Sequence, residues 1–325
     1  MALEQLRVTR AAEIREQPQD EHRWLVEPLW GAGAVGIIGG APKTCKTWLA
    51  LEMAVAVASG RPCLGRFGVP SPGPVLVFTA EDAPYQVKHR IESLARARDA
   101  DFRSLDVKLI VETSLLLDRA QDLQRLRLTL ANHRPKLLVL DPYVRLQRAD
   151  ENDARQVSAI LSALRELSRT FHTAVALVHH ARKNAARLPG QALRGSSDFW
   201  AWGDSNLYIA RNRDGLLLTA EHRAAPSPPP LGLHLLAPQD GQDEEKIPVC
   251  LELRDESSPP HSTPLAQRIL VYLRDAGPAP HRTIRAALRV RTSSLSDALQ
   301  ELEASSRLTR TPHGWNLTSN QSASP

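Results

Sequence analysis

No apolar run in this sequence approaches the roughly 18 residues that a membrane-spanning helix needs. Its greasiest segment, LALEMAVAVASG, is broken by Glu52, so no membrane partner is expected. Cysteine is scarce: Cys45, Cys63 and Cys250 are scattered and never form a C-x-x-C pair. Neither a disulfide framework nor a zinc site is therefore indicated, and three free thiols are expected. The first 25 residues carry charges of both signs and have no apolar stretch followed by a small-residue cleavage site. No secretory leader is expected on that pattern, which predicts a cytoplasmic protein. No internal repeat is present, and the net charge of +5 is mild. The basic excess is uneven, however. Residues 264–325 hold eight arginines against four acids, which points to an anionic partner for that part of the chain.

The 325 residues suffice for one large core plus a small appended module. From Gly31 to about Cys250, short β-rich runs alternate with longer helical patterns, which predicts an α/β fold with a mostly parallel sheet. The expected strands are residues 34–39, 74–80, 107–111, 136–141, 173–179 and 206–211. Their near-continuous apolar character implies a sheet covered on both faces. Val157, Ile160, Leu161, Leu164 and Leu167 recur at helical spacing after a cap at Asn152 or Asp153. Two further runs, 215–223 and 247–254, flank a Pro-rich and an acidic stretch and read as an antiparallel extension of the sheet. Residues 255–263 lie in a polar, Pro/Ser-rich segment without periodicity, the signature of a linker.

The first expected strand feeds GAPKTCKT, which has the spacing G-x-x-x-x-G-K-[ST] with Gly40, Lys46 and Thr47 in register. Such a loop works because its backbone N–H groups and the following helix N-terminus point at nucleotide phosphates. Gly40, Ala41, Pro42, Lys43, Thr44, Cys45, Lys46, Thr47 and Trp48 are accordingly the candidate ATP-binding residues. Lys46 would serve the β- and γ-phosphates and Thr47 would serve Mg²⁺. The loop lacks its second glycine, because Cys45 stands there. A non-glycine residue at positive φ costs about 1 kcal/mol or a little more, and the thiol stands close to the phosphates. Beside Lys46 and a helix N-terminus its pKa is expected to fall.

Further along, VFTAED places Glu81 and Asp82 at the carboxyl edge of the sheet, where open α/β proteins bind ligands. KLLVLD ends on Asp141, an arrangement in which the aspartate holds Mg²⁺ through water. TAVALVHHARK ends on His179, His180 and Lys183.

These pieces in this order resemble the RecA-like AAA-family ATPases of the RepA replicative helicase type. The residues that carry the resemblance are GAPKTCKT, FTAEDAP, LLVLDPYVR, LVHHARK and LRGSSDF, over roughly residues 23–223. The resemblance implies Glu81 as the catalytic carboxylate, Asp141 as the acid on Mg²⁺, and His179 or His180 as a sensor of the γ-phosphate. It also implies a homo-oligomeric ring, with a hexamer among the sizes it allows, completed in each site by a neighbour's arginine. Arg194, Arg211 and Arg213 are the candidates for that role. Residues 181–194 are basic without an acid, and in a ring they would line a pore around single-stranded DNA. Trp200 and Trp202 are placed either to stack on bases or to pack in the core.

The tail resembles a winged helix. A first helix carries Leu265, Ile269 and Leu273 on one face, and HRTIRAALR and RTSSLSDALQELEASSRL follow as second and third helices. A hairpin then turns at Pro312 to Gly314. This module would bind duplex DNA through the helix that begins RTSS. The expected organisation is an N-terminal arm (1–22), a RecA-like domain (23–254), a linker (255–263), a winged helix (264–320) and a disordered tail (321–325). The function implied is that of a DNA-acting ATPase, a helicase or a related replication or recombination motor. The alternative is a nucleotide-gated DNA-binding regulator with slow or absent hydrolysis.

Overall fold

The computed structural model describes residues 8–13, 23–148, 154–180, 198–212, 215–237, 248–254, 265–288, 290, 292–312 and 314–318. In chain order, β1 (Trp24–Val26) and β2 (Trp30–Gly31) form a short hairpin before β3 (Val35–Gly40) and α1 (Lys46–Ser59). Strands and helices then alternate: β4 (Val75–Thr79), α2 (Pro84–Ala97), β5 (Val107–Leu109), α3 (Ala120–His133), β6 (Leu137–Asp141), α4 (Ala154–Phe171) and β7 (Ala174–His180). The helix α5 (Asp198–Trp202) precedes β8 (Ser205–Asn212), β9 (Gly215–His222), β10 (Leu231–Leu236) and β11 (Cys250–Leu253). The chain divides into two compact units, Met1–Arg254 and Asp255–Pro325.

Among the described residues, nine strands form one sheet in the order β11-β10-β9-β8-β3-β7-β6-β4-β5. Strands β5 to β8 in that order are parallel, and β9, β10 and β11 extend the sheet antiparallel from β8. Successive side chains of a strand point to opposite faces, and the cores on the two faces follow that rule. Val75, Val77, Leu137, Val139, Ala174, Ala176 and Val178 pack with α1 and α2. Leu76, Phe78, Leu138, Leu140, Val175 and Leu177 pack with α3, α4 and α5. The full stripe Val157, Ile160, Leu161, Leu164 and Leu167 of α4 is buried there. Burial on both faces is why these strands read as unbroken apolar runs.

Strand ends move by one to three residues from the sequence reading, the largest trims being at 107–111 and 247–254. Three strands are additions. The β1–β2 hairpin is too short for a periodic signal, and β10 follows three consecutive prolines, Pro228 to Pro230, that mark a loop. The cap residues Asn152 and Asp153 lie outside the described residues, as do residues 1–7 and 14–22 of the N-terminal arm, residues 255–263 and residues 321–325.

His222 pins the β1–β2 hairpin to the sheet. Its Nε2 lies 2.8 Å from the Pro28 carbonyl, which only accepts, so Nε2 carries the proton. Nδ1 then accepts from the Ser205 hydroxyl at 3.1 Å, and Ser205 Oγ in turn accepts from the Gly31 N–H at 3.0 Å. Burial lowers the His222 pKa from its ordinary 6.5. A group whose folded pKa is depressed contributes stability that is present above pH 6.5 and is lost as pH falls through the folded value. Urea unfolding is therefore expected to show a decline in stability below pH 6.5 that is shallower in His222→Gln. Equal slopes in the two proteins would contradict this role.

The second unit contains α6 (Leu265–Ala276), α7 (His281–Leu288), α8 (Thr292–Ala304) and an antiparallel hairpin of β12 (Leu308–Thr311) and β13 (Gly314–Leu317). Its core joins Ile269, Leu273, Ile284, Leu295, Leu299, Leu302 and Leu308. Ala279, between α6 and α7, pairs with Trp315 through two backbone hydrogen bonds of 3.1 and 2.9 Å, a one-residue bridge that sets a third segment beside β13. No helix of the described residues is long and apolar enough to cross a membrane.

Candidate functional site

Four parallel strands deliver side chains to one place by the same parity. On β4, β6, β7 and β8 the residues facing α1 include Val77, Val139, Val178 and Ile209. Two residues further on, the same face carries Thr79, Asp141, His180 and Arg211 at the carboxyl ends of the strands. All four line a cleft of about 470 Å³ together with Lys43, Thr44, Cys45, Lys46, Thr47 and Trp48 of the loop and first turn of α1.

The loop is shaped from within. A Cβ on Gly40 would stand 2.4 Å from the Ile209 carbonyl oxygen and 2.7 Å from Thr44 Oγ1, so the close approach of β8 dictates a glycine there. The Ala41 carbonyl accepts from both Thr44 Oγ1 and Lys46 Nζ, each at 2.8 Å. Lys43 and Cys45 both have φ of 64°, and Cys45 sits at the helix N-cap with ψ of 27°. The left-handed conformation expected at the missing glycine is thus adopted by a cysteine. Its thiol departs from expectation, because burial pushes its pKa up against the opposing pull of Arg211 and Lys46. A desolvated thiol is a poor nucleophile at neutral pH, and the activated thiol read from the sequence is corrected accordingly.

Cys45→Gly is expected to leave the protein as stable or up to about 1 kcal/mol more stable. It is also expected to tighten ATP binding by removing the thiol from the cleft wall. Denaturant unfolding and titration with a fluorescent ATP analogue measure the two effects, and weaker binding in the variant would refute the second.

Thr47 Oγ1 donates to Asp141 Oδ2 at 2.6 Å, so two hard oxygen donors from α1 and β6 meet at the cleft floor. Burial pushes the Asp141 carboxyl up to about 6, with the Thr47 hydrogen bond opposing. The pair suits a small divalent cation such as Mg²⁺, which prefers one or two protein oxygens plus phosphates and waters. Among the described residues no three His, Cys, Asp or Glu side chains cluster as an all-protein metal site. Burial lowers the pKa of Lys46, against the pull of Asp141.

Glu81 lines the cleft and accepts from Arg145 Nε at 3.0 Å. Asp82 is gripped by both terminal nitrogens of Arg90, at 2.5 and 3.1 Å, and the Arg90 guanidinium lies 5.6 Å from the centroid of Trp48. Neither arginine was singled out from the sequence. Asp82 precedes α2 and Arg90 lies eight residues beyond it, so no i,i+3 or i,i+4 helical spacing announces the pair.

The histidines separate. His180 lines the cleft, whereas His179 is 1% exposed, stacks on Phe199 at 4.3 Å and meets Tyr143 edge-on at 5.5 Å. Of the two, His180 is the one that lines the cleft. Arg211 is exposed and lines the cleft of its own chain, and its Nη2 donates to the Lys43 carbonyl at 3.3 Å. Arg194, Arg213, Lys183 and the 181–194 stretch lie outside the described residues. Trp202 is a core residue whose Nε1 donates to the Leu161 carbonyl at 2.7 Å. Trp200 is 53% exposed and donates to Glu221 at 2.9 Å.

A family model described as an AAA domain matches residues 2–186. Among solved structures, a KaiC-like protein of the hyperthermophilic archaeon Pyrococcus horikoshii OT3 matches with a TM-score of 0.50 at 14% identity, over 71% of this chain and 94% of that one. The RadB recombinase matches with a TM-score of 0.46 at 16% identity, over 63% and 88% of the two chains. The likeness to the KaiC-like protein is one of fold.

Proposed function

The chain belongs to the AAA-domain family and has a RecA-like P-loop fold, and from that premise we propose that it hydrolyses ATP and couples the hydrolysis to work on DNA. The observation that carries this reading is the meeting of Lys46, Thr47, Asp141 and Glu81 in one cleft at the carboxyl edge of the sheet. The Lys46 ammonium leaves the Ala41 carbonyl for the β- and γ-phosphates, while the backbone N–H groups of the loop enclose them. Thr47 and Asp141 would hold Mg²⁺, which when bound would neutralise charge on those phosphates. Glu81, steadied by Arg145, orients a water for in-line attack on the γ-phosphorus and takes its proton. The bond to the β-phosphate oxygen breaks, giving ADP and inorganic phosphate. His180, which lines the same cleft, would sense the γ-phosphate.

Action on DNA is supported by the second unit. Three helices, a hairpin and the Ala279–Trp315 bridge follow the order of a winged helix, and arginine outnumbers acid in that segment. We read the protein as a RepA-like helicase or a related replication or recombination motor, assembled as a ring around single-stranded DNA. A second reading, a nucleotide-gated DNA-binding regulator, is favoured by Cys45, which lines the cleft where the G-x-x-x-x-G-K-[ST] pattern has its second glycine.

ATP turnover of the native protein with and without single-stranded DNA separates the two. The motor reading expects turnover that DNA stimulates, followed by strand displacement. ATP that binds without being hydrolysed, together with nucleotide-dependent binding to duplex DNA, would overturn the motor in favour of the regulator.

A further inference from the structure

We propose that Arg211 acts in its own subunit, as a ligand of the terminal phosphate of the nucleoside triphosphate bound there, rather than reaching across to a neighbour. The inference rests on the nucleotide-binding reading above and adds where one charge acts.

Backbone register supports it first. β8 runs parallel to β3 with Ile209 opposite Gly40, and the two backbones approach so closely there that no side chain fits on residue 40. Residue 211 therefore emerges directly beside the residues that follow Gly40, which are the phosphate loop. Parity then sets its direction. Ile209 packs on the α1 face, and residue 211 shares that face, the side on which the loop turns into α1.

The side chain itself is the third observation. Nη2 reaches the Lys43 carbonyl at 3.3 Å, and the residue lines the cleft beside Cys45. A backbone carbonyl occupies one of the five guanidinium N–H donors and does not neutralise the charge. The other cations of the cleft are differently committed. Arg90 is held bidentately by Asp82, and Lys46 faces Asp141. Among the described residues no carboxylate forms an ion pair with Arg211, so the position offers a planar, fixed positive charge with donors to spare. That is the chemistry that binds phosphate oxygens.

The test uses the full-length protein at low concentration with Mg²⁺. Affinities for a non-hydrolysable ATP analogue, ADP and inorganic phosphate are measured for the native protein, Arg211→Ala and Arg211→Lys. Loss of a charge-assisted contact to the terminal phosphate predicts that Arg211→Ala binds the ATP analogue at least about 10-fold more weakly. ADP affinity should stay within about twofold, and Arg211→Lys should recover part of the loss. Weak binding of free phosphate that Arg211→Ala also abolishes would support the same ligand position.

ATPase assays on mixtures of Arg211→Ala with Lys46→Ala complete the test. If the arginine served a neighbour, mixed assemblies would pair an intact phosphate loop with an intact arginine and regain turnover; action in its own subunit predicts no recovery. Unchanged discrimination between ATP analogue and ADP in Arg211→Ala, or restored turnover in the mixture, would overturn the proposal. Failure of the native protein to bind either nucleotide would instead remove the nucleotide-binding reading, and the role of Arg211 with it.

Discussion

Lys46→Ala is expected to lower ATP turnover by at least about 100-fold while leaving the fold intact. The magnitude follows from removing one preorganised charge from a water-poor site where charge develops. Lys46 is 5% exposed at the first position of α1, and Asp141, Glu81 and the phosphate loop surround it. No other described cation has both its burial and its place at the helix N-terminus. Stability is spared for a specific reason: the Ala41 carbonyl that accepts from Lys46 also accepts from Thr44 Oγ1, so the substitution strands no buried acceptor. Unchanged circular dichroism and thermal midpoint, with turnover lost, is the expected combination. Wild-type turnover in Lys46→Ala would mean that the cleft is not the hydrolytic site. Loss of fold together with turnover would make Lys46 a structural residue first.

The second large effect concerns stability and lies behind the phosphate loop. Glu52, in the middle of α1, is 0% exposed, and its Oε1 accepts from Arg98 Nε at 2.6 Å and from the Leu64 N–H at 2.7 Å. Its Oε2 is without a hydrogen-bond partner among the described residues. Arg98, at the end of α2, also donates to the Leu251 carbonyl at 2.7 Å, so one guanidinium ties α1, α2 and the edge strand β11 together. Burial pushes the Glu52 carboxyl up, and Arg98, with the Leu64 N–H, opposes that shift. Arg98→Met keeps comparable bulk but strands a buried carboxylate, which costs about 3–5 kcal/mol.

The deficit should depend on pH with a definite sign. An unpaired buried Glu52 has a folded pKa raised above its ordinary value, so the folded state gains stability as pH falls and the carboxyl is neutralised. Denaturant unfolding is expected to show a larger deficit at pH 7 than at pH 5. Glu52→Gln combined with Arg98→Met should recover much of it, since the two changes act on one interaction. A deficit below about 1 kcal/mol at pH 7, or one that grows in acid, would show that the pair does not hold these elements together.

Glu52 illustrates how far the sequence could be read. As a letter it served to exclude a membrane span, because a carboxylate interrupts an apolar helix. Its partner lies 46 residues away on another helix, and nothing local announces that Arg98 reaches it. His179 and His180 illustrate a different limit. Alternation along a strand places adjacent residues on opposite faces, so one of the two had to point away from the loop. Choosing between them required knowing which face carries α1. Once that is known, Thr79, Asp141, His180 and Arg211 follow from parity alone. The same knowledge underlies the proposal that Arg211 serves the site of its own subunit.

By itself the sequence determined the parts that depend on short-range physics. Apolar runs of strand length specified a sheet buried on both faces, the 3.6-residue stripe of Val157 to Leu167 specified α4, and the spacing of Gly40, Lys46 and Thr47 specified the phosphate loop. It also carried the positive φ at Cys45, because the loop's path demands that conformation of whichever residue stands there. Only the tertiary structure decided what depends on contacts between distant segments. Those are the strand order that sets β8 beside β3, the pairing of Glu52 with Arg98, the tie of His222 to the β1–β2 hairpin, and the burial that raises the Cys45 thiol when its immediate neighbours alone would lower it. The reason is physical: spacing fixes direction along an element, but burial and partnership depend on which other elements close over it.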